Sequence, residues 1–304
     1  MKLGMVGLGK MGANMTRRLI RGGHEVAVFD IDPQAVVSLT EEGAEATGSL
    51  ADLATKLSPP RLVWVMVPSG EITNTTITQL KDVLSEGDLV VDGGNSRYTD
   101  SMRHGRELAE AGISFLDAGT SGGVWGLDNG YCLMVGGAQE SFERAEPVLA
   151  TLAPKNGYAH VGETGAGHFT KMVHNGIEYA LMQAYGEGFE LLHQSEFDIP
   201  IGEVAEVWRH GSVVRSWLLD LLAKALEDDP DLSELDDYVD DSGEGRWTVE
   251  TAIRYAIPTP TIAMSLFQRF ASRQDASYAG KMISALRREF GGHAVRSIED
   301  QGEK

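Results

Sequence analysis

Lys171, His174, Asn175 and Glu178 place an amine, an imidazole, an amide and a carboxylate close together in "GHFTKMVHNGIEYA", residues 167–180. On a helix of about 100° per residue, all four fall within about 60° of Lys171, whereas Phe169, Val173, Gly176, Ile177 and Ala180 fall on the opposite side. The pattern predicts a chemical face backed by a packing face. A solvated polar stripe is the commoner origin of such a pattern. This one mixes a candidate base, a donor–acceptor amide and an acid instead of repeating Glu and Lys pairs. Glycines at 162, 165 and 167 lead into it, and Gly186 with Gly188 is expected to interrupt the same helix. Lys171 and Glu178 would stand about 10 Å apart along the axis, a span that long side chains can close around a small extended substrate.

The elements that must position this face begin at the N-terminus. "KLGMVGLGKMGANM" opens as a buried strand and runs into Gly7, Gly9 and Gly12, followed by helix-compatible residues up to Gly22. In such a fingerprint the first glycine permits a tight turn, the second lets backbone approach a pyrophosphate, and the third packs helix on strand. Leu8, Lys10 and Met11 lie within the same loop and helix start. A second strand, "EVAVFD", ends in Asp30, where an acid can accept hydrogen bonds from both ribose hydroxyls of NAD. Further strands are expected at 61–67, 88–94, 113–119, 131–137 and 159–162, alternating with helices, which predicts a parallel sheet. The loops after three of them, "VPSG" (67–70), "GGNS" (93–96) and "GTSGG" (119–123), then point toward one crevice. They bring Val67, Ser69, Asn95, Ser121, Gly122 and Gly123 into the candidate site. From about Glu163 helical patterns take over, at 165–195, 201–226, 246–257, 259–273 and 275–290. The expected architecture is an α/β Rossmann-type N-terminal domain, residues 1–162, followed by an all-α C-terminal domain, residues 163–304.

The 304 residues, 42% of them hydrophobic, suffice for a large core. The longest apolar run, 62–67, is far too short to span a bilayer, and residues 2–7 read as a strand rather than a signal peptide, so the cytoplasm is the expected location. The formal charge of −19 disfavours nucleic acid and anionic membranes as partners. Much of it is local to "LEDDPDLSELDDYVDD" (226–241), a stretch expected to be solvated. The single cysteine, Cys132, excludes an internal disulfide framework and is expected to be a small buried filler. The histidines have no metal-ligand spacing, and no metal is expected.

The motifs "GLGKMG" (7–12), "VVDGGNSRY" (90–98), "FLDAGTSGG" (115–123) and "GHFTKMVHNGIEY" (167–179) resemble the β-hydroxyacid dehydrogenase superfamily and, within it, the 6-phosphogluconate dehydrogenase family. "EGRWTVETAIRYAIPTP" (244–260) and "RREFGGH" (287–293) look like that family's helical domain, and the length resembles its short, usually NAD-linked form. The resemblance implies oxidative decarboxylation of 6-phosphogluconate to ribulose 5-phosphate and CO2 with reduction of NAD, in the pentose phosphate pathway, by a homodimer or homotetramer. It implies Lys171 as general base and Glu178 as acid. His174, Asn175, Asn95, Tyr179 and the backbone donors of Ser121, Gly122 and Gly123 would hold the substrate. Arg269 matches the family's phosphate-binding arginine, and Arg287 with His293 matches a C-terminal pair that reaches in from a neighbouring subunit. Longer relatives place a lysine and a threonine where this chain has Ser242 and Glu244, and a glutamate there would repel phosphate. The other readings are a 3-hydroxyisobutyrate-type dehydrogenase, which needs neither Glu178 nor Arg269, and an idle NAD-binding scaffold.

Overall fold

The computed structural model describes residues 1–292 and 294, and the chain divides into two compact units. The first comprises Met1–Glu178 and Gly243–Ile257; the second comprises Tyr179–Ser242 and the residues from Pro258 onward. Relative to a division at 162/163, residues 163–178 and 243–257 group with the sheet.

In chain order the elements are β1 (Lys2–Val6), α1 (Lys10–Arg21), β2 (Glu25–Phe29), α2 (Pro33–Glu41), β3 (Glu45–Ala46), α3 (Leu50–Lys56), β4 (Leu62–Val65), α4 (Glu71–Val83), β5 (Leu89–Asp92) and α5 (Tyr98–Ala109). They continue with β6 (Ser114–Ser121), α6 (Gly126–Asn129), β7 (Cys132–Gly137), α7 (Gln139–Leu152), β8 (Tyr158–Gly162), α8 (Ala166–His193), α9 (Ile201–Arg209), α10 (Trp217–Asp228), α11 (Glu244–Arg254), α12 (Pro260–Ala271) and α13 (Tyr278–Gly291).

The first unit is built on one sheet of order β3-β2-β1-β4-β5-β6-β7-β8. Its central strands β4 and β5 are buried at every position because both faces are covered, as in parallel sheets generally. In β4, Leu62 and Trp64 join a core with Met15, Leu19 and Leu149 on one face, while Val63 and Val65 join Leu53, Ile77 and Leu80 on the other. Local chemistry starts the helices: the Asp32 side chain accepts from Gln34 N ahead of α2, with Pro33 in the first turn, and Ser49 accepts from Asp52 N ahead of α3.

The all-parallel expectation is corrected at β7, which pairs antiparallel with β6, while β8 pairs parallel with β7. The cause is connection length. Residues 122–131 are fewer than the dozen or so that a crossover helix needs, so the chain turns back beside β6. The two-residue β3 was too short to be legible as a strand.

In the second unit, Phe189 of α8 packs with Ala205 of α9 and with Leu219, Ala223 and Leu226 of α10. The single helix expected over 201–226 is two. The chain breaks at Gly211, whose φ of +99° is left-handed, and α10 restarts where Ser216 accepts from Leu219 N. Conversely, α8 runs unbroken through Gly186 and Gly188, since helical hydrogen bonds on either side outweigh the roughly 1 kcal/mol that a glycine costs. The acidic stretch leaves α10 at Asp228 and continues without helix or strand to Gly243, largely exposed. Among the described residues no helix is long and apolar enough to cross a membrane.

Candidate active site

The glycine fingerprint turns the end of β1 into α1. Gly7 has φ +91°, and a Cβ there would lie 2.4 Å from Met66 O; a Cβ on Gly12 would lie 1.9 Å from Gly7 O. Neither position tolerates a side chain, so strand, turn and helix are in direct backbone contact. Gly9 precedes α1 and faces open space, with nothing within 4 Å of its Cβ position. That openness fits a group that must reach the positive end of α1 and its unpaired N–H donors. Asp30, at the end of β2, accepts from Leu8 N at 2.5 Å and from Asp32 N at 2.8 Å, which fixes its carboxylate beside the loop. A carboxylate has about four acceptor sites, so ribose hydroxyls can still be received.

Leu8 is buried, Met11 half-buried and Lys10 exposed. Val67 and Ser69 follow β4, and Asn95 follows β5 in an exposed position, all at the carboxyl edge shared with Gly7 and Asp30. β1 lies between β2 and β4, so the order of connections reverses there, where such sheets open a ligand crevice.

The start of α8 is anchored on β6 and β7. Asp117, fully buried in β6, accepts from Gly165 N at 2.7 Å and from His168 N at 2.8 Å, using both carboxylate oxygens to satisfy donors at the helix start. A Cβ on Gly167 would lie 2.2 Å from Asp117 O, and one on Gly119 would lie 2.5 Å from Lys171 Cβ. These glycines let the helix ride directly on the strands, and Lys171 therefore starts from the sheet surface. On its other flank, Thr248 of α11 donates to Met172 O at 2.8 Å and packs where a Gly176 Cβ would point.

The expected packing face holds at Phe169, which meets the rings of Tyr98 and Tyr255, and at Gly176 against Thr248, but it is corrected at two points. Lys171 and Asn175 are 7% and 8% exposed, whereas Ile177, on the apolar arc, is 50% exposed. Besides the Phe169 contacts, α8 meets Gly119 and Thr248 on its Lys171–Met172–Gly176 side, so the polar stripe is partly turned inward. Burial pushes the Lys171 amine below its ordinary value, and the charges of Glu178, Glu244 and Cys132 oppose that shift. His174 Nδ1 lies 3.1 Å from Asn175 Oδ1 and 3.7 Å from Glu178 Oε2, linking three of the four predicted side chains. Ser121 and Gly122 are half-buried at the end of β6, and Gly123 is exposed. Cys132 is also exposed, contrary to its expected role as buried filler, because β7 starts at the sheet edge where the chain emerges from the 122–131 turn.

In the second unit, the Tyr179 hydroxyl accepts from Ser242 N at 3.1 Å and lies 3.3 Å from Ser242 Oγ. The Arg269 guanidinium stacks 3.5 Å over the Tyr179 ring and donates to Asp240 O at 2.7 Å. Tyr179, Ser242 and Arg269 thus form one cluster. Arg287 is exposed on α13 and, among the described residues, makes no hydrogen bond to that cluster. His293 lies outside the described residues.

Two positioning residues were not singled out from sequence. Asp117 carries a readable signal, an acid inside an otherwise buried strand, which must find donors. Thr248 carries none, because its role depends on α11 packing beside α8. Glu244, read only as a departure from longer relatives, is 2% exposed in the first turn of α11 and near enough for its charge to act on Lys171. Among the described residues no group of three or more His, Cys, Asp or Glu side chains could hold a metal ion.

The geometry has known counterparts. Residues 2–162 match the family described as the NAD binding domain of 6-phosphogluconate dehydrogenase, and residues 167–304 match that enzyme's C-terminal domain in two overlapping segments. A Bacillus subtilis protein provisionally named a 6-phosphogluconate dehydrogenase is 48% identical over 97% of this chain and 99% of its own length. A Haloferax volcanii protein named NAD(+)-dependent, decarboxylating 6-phosphogluconate dehydrogenase is 43% identical over 99% of this chain and all of its own. Among solved structures, Plasmodium falciparum 6-phosphogluconate dehydrogenase, known with NADP+ and with 6-phosphogluconate, shares the fold over the whole chain at a TM-score of 0.83 and 24% identity, covering 68% of that chain. Anchored by its glycine fingerprint at one end and its lysine-bearing helix at the other, the chain belongs to the 6-phosphogluconate dehydrogenase family of β-hydroxyacid dehydrogenases.

Proposed function

We propose that this protein oxidises and decarboxylates 6-phosphogluconate to ribulose 5-phosphate and CO2, with NAD as its electron acceptor, in the pentose phosphate pathway. The observation that carries the reading is Lys171, a buried amine whose burial favours the neutral form, on the same helix face as Glu178. The name of the Haloferax relative supports the same reaction and cofactor. NAD, when bound, accepts a hydride from the substrate carbon that bears the hydroxyl. Gly7 to Gly12, Asp30, Val67, Ser69 and Asn95 are the residues proposed to hold it.

Lys171 Nζ takes the hydroxyl proton as the secondary alcohol is oxidised. Now an ammonium, it polarises the new carbonyl, and the β-keto acid loses CO2. Glu178 then delivers a proton to the enediol carbon. His174 and Asn175, already joined by a hydrogen bond, orient the substrate hydroxyls and carboxylate together with Asn95 and the backbone donors of Ser121, Gly122 and Gly123. For the phosphate, the candidates are Tyr179 and Arg269 of the second unit, with Arg287 and His293 contributed by a neighbouring copy in a dimer or tetramer. Residues 1–162 serve the dinucleotide and lend Asn95, Ser121, Gly122 and Gly123 to the substrate, and residues 163–304 serve substrate and assembly.

The test is NADH formation from 6-phosphogluconate with CO2 measured in parallel. Equal molar yields of both are expected. NADH without CO2, or faster turnover of a small unphosphorylated β-hydroxyacid, would replace this reading with that of a 3-hydroxyisobutyrate-type dehydrogenase.

A further inference from the structure

Cys132 opens β7 directly opposite Ser121, the last residue of β6. Partners across an antiparallel pair point to the same face, and successive residues alternate between faces. Two glycines identify the face. A Cβ on Gly119 would meet Lys171 Cβ at 2.5 Å, and one on Gly136 would meet Gly167 N at 2.7 Å. The rungs Asp117–Gly136, Gly119–Met134 and Ser121–Cys132 therefore climb the face that α8 covers. The first two are buried; at the third, Ser121 is half-buried and the thiol exposed.

Two residues along a strand advance about 6.6 Å, comparable with the reach of a lysine side chain. Lys171, starting over Gly119, can thus extend toward the Ser121–Cys132 rung, and its amine senses the charge of Cys132. Lys171 is itself more than nine-tenths buried and, among the described residues, has no hydrogen bond or ion pair. A buried lysine side chain, its amine in no hydrogen bond or ion pair among the described residues, and an exposed thiol therefore lie on one face of the sheet, a rung apart.

We propose that Cys132 is a modification site at the mouth of the Lys171 cleft, where a low-molecular-weight disulfide forms a mixed disulfide that keeps substrate from Lys171. The Cys132 sulfur, as thiolate, attacks one sulfur of the small disulfide. A new S–S bond forms as the old one breaks, and the departing thiolate takes up the proton that Cys132 released. Cys132 is oxidised, half of the small disulfide is reduced, and excess small thiol reverses the exchange. The adduct projects over Ser121 and Gly122, where the proposed function needs room for substrate, so the consequence for turnover rests on that reading.

With a single cysteine in the chain, a mass gain assigns the adduct without mapping. Treating the full-length protein with 2-hydroxyethyl disulfide is expected to add one adduct and to lower 6-phosphogluconate turnover by about a hundredfold, as loss of the base would. Dithiothreitol restores it, and 6-phosphogluconate slows the modification. Cys132→Ser takes no adduct and keeps its turnover. Failure to form the adduct, an adduct with full turnover, or equal loss of turnover in Cys132→Ser overturns the proposal. If untreated protein does not turn over 6-phosphogluconate, the functional reading fails separately. The thiol site is then judged on the amine itself: the adduct must slow labelling of Lys171 by an amine-reactive reagent, read by peptide mass, and unchanged labelling overturns it.

Discussion

Lys171 is made useful by burial. Because desolvation lowers its proton affinity, the neutral amine is present at lower pH than for a lysine in water, and the acid limb of kcat/KM should lie below the ordinary 10.5. Glu244 opposes that shift, so Glu244→Gln should move the limb further down; an unmoved limb would show that Glu244 does not act on the base. Lys171→Met should remove hydride transfer, at a cost of about 10² to 10⁴ in rate, while Glu178→Gln should leave NADH formation less affected than the protonation that follows. Single-turnover kinetics with isotope exchange at the enediol carbon separate the two. Asp30, held by Leu8 N and Asp32 N, offers acceptors to a ribose diol and a negative charge to a 2′-phosphate. NAD should therefore outperform NADP in kcat/KM, and equal efficiencies would contradict that role. Arg269→Ala should raise KM for 6-phosphogluconate far more than for gluconate, losing about 2 to 5 kcal/mol of phosphate binding. A proportional loss on both would assign Arg269 instead to holding Tyr179 and Asp240.

At the scale of elements, the site depends on how α8 is seated. Asp117 satisfies two buried N–H groups at its start, while Gly119 and Gly167 let helix and strand touch. Asp117→Ala would strand both donors and should destabilise the first unit by about 2 to 4 kcal/mol, measured by urea denaturation followed through Trp64 and Trp247 fluorescence. A change under about 0.5 kcal/mol would mean that water replaces the carboxylate without penalty. Thr248 ties α11 to Met172, and α11 in turn presents Glu244. The base is thus held by β6 beneath and α11 beside it, two elements far apart in sequence.

For the whole molecule, the helical unit leaves apolar surface uncovered. Tyr278, Ile283 and Leu286 of α13 are 75%, 59% and 59% exposed, and no described residue of that helix is buried. Large apolar patches on a chain of this size mark association surfaces. The protein should therefore run at no less than twice its chain mass in light scattering, and Ile283→Glu with Leu286→Glu should shift it toward monomer. A fully active monomer at assay concentration would remove the proposed role of a neighbouring copy.

The Rossmann half was legible because its signals are local. A strand run, three glycines at fixed spacing and an acid at the next strand end each follow from backbone sterics within a few residues, and the structure places Gly7, Gly12 and Asp30 accordingly. The four polar residues of α8 were legible from helical period alone. Period placed Phe169 and Gly176 on a packing arc but could not say that Lys171 and Asn175 also turn inward and Ile177 outward, which follows from Gly119 and Thr248 meeting one side of the helix. Nor could it reveal the reversed direction of β7, which follows from the length of a turn, or the Ser216 restart that divides the expected helix over 201–226. Residue type and spacing determined which groups are available for chemistry. Tertiary packing lowered the proton affinity of Lys171 and chose its neighbours, because desolvation and charge act through space between residues as far apart in the chain as Lys171, Glu244 and Cys132.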